Sequence, residues 1–173
     1  LAKLRRLVSL NLGWCPQVSD LDPLAALSAL TSLNLSLCPR VTNLEPLAGP
    51  IALATLDLRN CKHLSDLRPL IRLNALTSLD LSHCEIVTDL GPLLDSILWQ
   101  LQKLIIYQSG VSHLPAELLG KWHTDNVAPQ VQAYYRSRRE QGEATWQQCK
   151  VIVLGNSGAG KTSVVKALIL SLI

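Results

Sequence analysis

The sequence predicts an α/β chain in which a solenoid of stacked units, built on a parallel strand ladder, is followed by the opening of a truncated phosphate-loop (P-loop) α/β domain. Three observations predict it. Aliphatic residues recur every 23 residues across the first part of the chain, the period stops near residue 123, and a G-x-x-x-x-G-K-[ST] turn follows an unbroken apolar run at the end. Self-similarity at a fixed period fixes the architecture before any local reading does.

Composition sets the limits. Apolar residues make up 48% of the 173 and charged residues 17%, which excludes disorder over most of the length. Aromatic residues are only 4%, with no Phe, so the core must be aliphatic. The net charge of +3 lies in residues 150–173, where Lys150, Lys161 and Lys166 face no acid. That is too little for a nucleic-acid footprint, so no nucleic acid is expected as a partner, but it suits one local anion. No apolar span reaches the 18 residues a membrane helix needs, and Lys166 interrupts the terminal run, so no transmembrane segment is expected. The chain begins at Leu1, holds no Met and ends inside an apolar run, which reads as a piece of something longer.

Each unit has the form L-x-x-L-x-L-x-x-C, a polar turn, then L-x-P-L-x-x-L. Leu10, Leu33, Leu56 and Leu79 share one phase, and Leu12, Leu35, Leu58 and Leu81 another. The alternating L-x-L predicts a half-buried strand, with Asn11, Asn34, Asp57 and Asp80 turned away from the leucines. Asp20, Asn43, Asp66 and Asp89 then turn the chain, since such side chains bond their own backbone readily. Pro23, Pro46, Pro69 and Pro92 open a short helical or 3₁₀ return, where a missing N–H costs nothing. Of the five cysteines, Cys15, Cys38, Cys61 and Cys84 follow the same interval. They predict a column of buried thiols acting as small hydrophobes, with no companion residues in zinc spacing, and hence a reducing, cytoplasmic setting.

No unit has enough apolar surface to stand alone, and stacking gives all of them one leucine core. The pattern resembles the leucine-rich repeat family over residues 1–123, about five repeats of 23–25 residues, and implies a horseshoe-like solenoid with the strands on its inner curve. The fifth unit is irregular: Leu79 to Leu104 is 25 residues, with the extra length expected within 93–101. Ser109 takes the cysteine position there, followed by Gly110; residues 101–108 read as the last strand and 111–122 as the start of a cap. The first unit has no polar cap before it, so further repeats or a cap are expected upstream. On the strand face Asn11, Asn34, Asp57, Arg59, Asp80 and Tyr107 form the candidate surface for a protein partner, with Arg59 and Tyr107 as its sharpest corner. The face is small and polar and lacks the aromatic anchors that concentrate binding energy.

Residues 124–149 read as a helical connector. Asn126 can cap a helix over 127–141 with Pro129 in its first turn and Gly142 ending it. Val127, Val131, Tyr134 and Tyr135 favour one side, and Arg136, Arg138 and Arg139 read as a solvated helix end.

Residues 150–154 are a lysine and four apolar residues, the mark of a strand buried on both faces. Gly155, Asn156, Ser157, Gly158, Ala159, Gly160, Lys161 and Thr162 follow, then Ser163 and a helical composition. In this context the turn predicts a phosphate cradle of backbone N–H groups. Lys161 is the catalytic candidate, reaching the β- and γ-phosphates, and Thr162 offers its hydroxyl to Mg²⁺. The second magnesium carboxylate, the base-reading loop and the water-orienting residue are missing from the 173 residues, so this piece is expected to be inactive alone.

Repeats, short connector, then strand and phosphate loop: this order resembles the Roco proteins, in which leucine-rich repeats precede a Ras-like GTPase domain called Roc. The resemblance implies that 150–173 opens a Roc domain, that GTP or GDP with Mg²⁺ is bound by the full-length protein, and that this protein hydrolyses GTP as a switch. It also implies homodimerisation through a following COR region, with the solenoid as a regulatory, protein-binding arm. The alternatives are a protein-interaction scaffold and an ATP-binding signalling NTPase with leucine-rich repeats.

Overall fold

The computed structural model describes residues 4–49, 52–94 and 96–141. Two compact units divide between Tyr134 and Tyr135. The first holds every repeat and is a leucine-rich-repeat solenoid. Its five three-residue strands are β1 (Ser9–Asn11), β2 (Ser32–Asn34), β3 (Thr55–Asp57), β4 (Ser78–Asp80) and β5 (Lys103–Ile105). They pair in sequence order, all parallel, with Leu10, Leu33, Leu56, Leu79 and Leu104 in one register row. β5 is shorter than the span of 101–108 read from the sequence.

The turns follow from the side chains that make them. Oδ1 of Asp20, Asn43, Asp66 and Asp89 each accepts the backbone N–H two residues on, at 2.7–2.9 Å. The chain then enters 3₁₀ turns at Asp22–Leu24, Glu45–Ala48 and Arg68–Arg72, each with proline in its first two positions. The fourth return differs: helix α1 (Gly91–Leu94) is followed by a 3₁₀ turn at Ile97–Gln100, which absorbs the two extra residues where the sequence placed them. Gln100 Nε2 donates to the Leu73 carbonyl at 3.0 Å and ties this longer return to the repeat before it.

Leucines of the L-x-L strands and of the returns fill the space between. Leu33, Leu56, Leu79 and Leu104, with Leu35, Leu58 and Leu81, are at most 1% exposed. Each such burial is worth about 1.5–3 kcal/mol. The first repeat is different: Leu10 and Leu12 are only half-buried, and Leu4 and Val8 are 51% and 56% exposed.

Cys38, Cys61 and Cys84 are fully buried and free, as expected, while Cys15 is half-buried. They do more than fill space. The Sγ–H of each donates to a carbonyl one repeat back, Cys38 to Leu12 (3.1 Å), Cys61 to Leu35 (3.3 Å) and Cys84 to Leu58 (3.1 Å). Burial pushes the Cys61 and Cys84 thiols up to about 12. In the fifth repeat the shorter Ser109 replaces cysteine, and its buried hydroxyl finds no partner among the described residues. Gly110 follows because nothing larger fits: a Cβ there would lie 2.1 Å from the Glu85 carbonyl oxygen.

The last strand edge is closed by one residue. Asn126 Oδ1 accepts from Leu104 N–H, and its Nδ2 donates to the Gln102 carbonyl (2.8 Å), while Val127 N–H reaches the Leu104 carbonyl (2.9 Å). These are the contacts a sixth strand would make. Asn126 also caps helix α2 (Ala128–Gln141) through Ala128 N–H at 3.0 Å. Val127, Ala128 and Val131 are buried, and Gln132 Nε2 donates to the carbonyls of Leu98 and Leu101. The helix starts one residue later than the sequence reading placed it. Among the described residues no helix is long and apolar enough to cross a membrane. The expected phosphate-loop α/β domain at 150–173 and the end of the connector lie outside the described residues.

Candidate interaction surface

The strand face carries the candidate residues, and the fold already uses most of them. Oδ1 of Asn11, Asn34, Asp57 and Asp80 accepts the backbone N–H two residues on, from Gly13, Ser36, Arg59 and Ser82, at 2.8–3.0 Å. The Asn/Asp column therefore shapes the turn after each strand, as the second Asn/Asp column shapes the turn before each return.

Arg59 sits between two acids. Its Nη2 and Nε bond both oxygens of Asp57 at 2.8 and 3.1 Å, and Nε lies 3.6 Å from Asp80 Oδ2. The Asp57 hydrogen bond raises the guanidinium above its usual value, keeping it charged. Burial raises the Asp80 carboxyl above the usual carboxylate range, against the pull of the Ser82 hydrogen bonds and Arg59. Tyr107 stands edge-on to His83, ring centroids 5.4 Å apart, and its carbonyl accepts the His83 N–H at 2.9 Å. Arg59 and Tyr107 thus lie on one face but bind different neighbours. Ser82 is fully buried, and Ile105, in register with Asp80, is 2% exposed, while Lys103 of β5 is exposed.

The residue before each cysteine position was missed by the sequence reading. Trp14, Leu37, Asn60, His83 and Gln108 all adopt left-handed backbone, with φ between 51° and 63°. The first four donate their N–H across to the next repeat, to the carbonyls of Ser36, Arg59, Ser82 and Tyr107, at 2.8–2.9 Å. The result is a row of side chains standing at strand spacing along the edge of the polar face. Trp14 is 79% exposed. An aromatic anchor is present after all, beside the strands rather than on them. Depressions of about 250 and 410 Å³ flank the row and share Trp14, Leu37 and Asn60. Pro16 and Pro39 wall the larger, and Arg59, His83 and His123 the smaller. The available signal was chemical variety: Trp, Leu, Asn, His and Gln in one column directly before the nearly constant cysteine column.

Among the described residues no group of three His, Cys, Asp or Glu is placed to hold a metal ion. The phosphate-loop candidates at 155–163, with Lys161, Thr162 and the Mg²⁺ and GTP or GDP assigned to them, lie outside the described residues.

A family model described as Leucine Rich Repeat matches residues 75–97. No curated protein sequence matches the chain. Among solved structures, an internalin (inlF) of Listeria monocytogenes is 26% identical with a TM-score of 0.46, covering 68% of this chain and 40% of its own. Internalin C2 of the same organism is 29% identical with a TM-score of 0.48, covering 69% of this chain and 50% of its own. This chain thus spans half or less of either protein. These findings correct the expectation of a Roco protein that binds and hydrolyses GTP through a Roc domain. The similarity found is to leucine-rich repeats and to internalins. Physically, the expectation leaned on the order of repeats, connector, strand and glycine turn, and residues 150–173 carry neither the whole sheet nor the base-reading and magnesium-holding loops that define such a domain. What the residues establish is a parallel-strand leucine-rich-repeat solenoid.

Proposed function

We propose that this solenoid is a protein-interaction module, docking a protein partner along the row of Trp14, Leu37, Asn60 and His83 and the adjoining strand face up to Tyr107. One observation carries the reading. Left-handed backbone costs a side chain with a Cβ roughly 1–2 kcal/mol; Trp14 and Leu37 bear that cost at φ 63° and 59°. Trp14 gives back almost no burial in return, being 79% exposed. A glycine or asparagine would serve the first turn better, so the Trp14 side chain answers a demand from outside the fold. Tryptophan is also among the residues in which binding energy concentrates.

The test is photo-crosslinking in the producing cells, with the photoreactive residue at position 14 or 37 and, as control, at position 71, where Ile71 is exposed on a 3₁₀ return. Discrete protein adducts at 14 and 37 but not at 71 are expected. Equal labelling at all three positions, or none at 14 and 37, overturns the proposal.

A further inference from the structure

We infer that Cys15 and Cys38 form an oxidation site: hydrogen peroxide converts the two thiols into a disulfide that staples the first repeat to the second. The inference stands apart from the docking reading above.

The parallel register sets the two cysteines side by side. Asn11 pairs with Asn34, and beyond the strands the Trp14 N–H still meets the Ser36 carbonyl at 2.9 Å, so Cys15 stands opposite Cys38. Neighbouring parallel strands lie about 4.8 Å apart, inside the Cα separation of about 4.4–6.8 Å that a disulfide spans. Cys38 already leans across the junction, its Sγ–H donating to the Leu12 carbonyl at 3.1 Å. Cys15 Sγ makes a longer contact, 3.9 Å, with the Gly13 carbonyl of its own turn. The same spacing relates Cys38 to Cys61 and Cys61 to Cys84, but all three of these are fully buried. Cys15 is half-buried. Among these adjacent pairs, Cys15 and Cys38 are the one with a member that a small oxidant reaches.

The chemistry balances in two steps. Cys15 attacks a peroxide oxygen: an S–O bond forms, the O–O bond breaks and water leaves, giving a sulfenic acid. Cys38 then attacks the Cys15 sulfur: the S–S bond forms, the S–O bond breaks, and the hydroxide departs with the Cys38 proton as water. Two thiols are oxidised by two electrons, and the peroxide is reduced to water. Burial raises the Cys38 thiol above its ordinary value, which suits it to the second step. Trp14 and Leu37 immediately precede the two cysteines, so the bond ties together the turns that carry them.

The experiment treats the intact, reduced chain with hydrogen peroxide, alkylates the remaining thiols in denaturant, and digests with an Asp-specific protease. Asp20 and Asp22 lie between the two cysteines, so a linked pair of peptides reports the bond. Non-reducing mass spectrometry is expected to show Cys15–Cys38 at about tenfold or more the yield of any other pair. Cys38→Ser is expected to stop at a Cys15 sulfenic acid that dimedone traps, and Cys15→Ser to leave Cys38 as an alkylated thiol. Serine already stands in this column at Ser109, and circular dichroism checks that each variant keeps the fold. Should one not fold, the linkage map of the unaltered chain decides alone. Cys15 recovered there as a free thiol or a sulfinic acid overturns the inference. So do equal yields of Cys38–Cys61 or Cys61–Cys84, and capture of Cys15 by Cys149 or by a second chain.

Discussion

Asn126 Oδ1 accepts the Leu104 N–H at 3.0 Å, so a side chain stands where the backbone of a further strand would be. The same carboxamide serves Gln102 and Ala128, closing the ladder and starting α2 with one residue. Asn126→Ala leaves three backbone groups without partners and is expected to cost about 2 kcal/mol. Asn126→Asp keeps the two accepted bonds but sets a carboxylate oxygen against the Gln102 carbonyl, and is expected to cost about 1.5 kcal/mol. Urea denaturation of the three proteins should rank them in that order.

Ser109 marks the one break in the thiol column. Its buried hydroxyl lacks a partner among the described residues, and a group of this kind costs about 1–3 kcal/mol. Ser109→Cys, with a longer bond to sulfur and the residue type of the four preceding repeats, is expected to raise stability by about 1 kcal/mol. Ser109→Ala should be neutral or mildly stabilising. A loss of stability in both variants, read from thermal melts, contradicts the account.

Gly110 is required by contact. Its missing Cβ would sit 2.1 Å from the Glu85 carbonyl oxygen, backbone that cannot swing aside as a side chain can. Gly110→Ala is therefore expected to destabilise by about 1–3 kcal/mol, seen as a lower denaturation midpoint with an unchanged slope.

Trp14 separates binding from folding. Trp14→Gly removes a left-handed penalty of about 1–2 kcal/mol and adds a glycine entropy cost of about 0.5–1 kcal/mol. The balance is a gain of roughly 0.5 kcal/mol, with partner binding lost. Calorimetry on the variant checks the first half, and the crosslinking assay the second.

The buried thiols give the pH behaviour. Folding raises Cys61 and Cys84 from the ordinary 9.0 to about 12. A group raised in the folded state contributes stability that is full below its unfolded value and is lost as pH rises toward the folded one. Stability should therefore hold up to about pH 9 and fall between 9 and 12. At pH 8 iodoacetamide should modify Cys15 well before Cys38, Cys61 or Cys84, as peptide mass spectrometry after timed quenching will report.

Much of the fold was legible because its determinants are local and repeated. The leucine and cysteine columns, the prolines and Asp20, Asn43, Asp66 and Asp89 each encode their own conformation, and 23-residue spacing stacks them. Asn126 was readable as a helix cap; its second task, at Leu104, depends on a residue 22 positions away. The interaction row was not legible for a related reason. Nothing in tryptophan or leucine favours left-handed backbone, and the cause is the bonding of Asn11 and Asn34 to the turns beside them. Ser82 and Ile105 fall on the side that alternation turns away from the leucines and are nevertheless buried. The glycine turn at 155–162 misled in the opposite way, its specific chemistry lending a family identity to a chain whose matched residues are repeats.

The left-handed turns have a consequence for how this protein can change. In the first four repeats the bend is secured by an Asn or Asp three positions earlier and by an N–H bond to the adjoining repeat, so the occupant's own side chain is irrelevant to keeping the shape. Substitutions at 14, 37, 60 and 83 are thus decoupled from the scaffold. With parallel strands about 4.8 Å apart, they are evenly spaced sites at which new specificity can evolve, or be engineered, without revisiting the core.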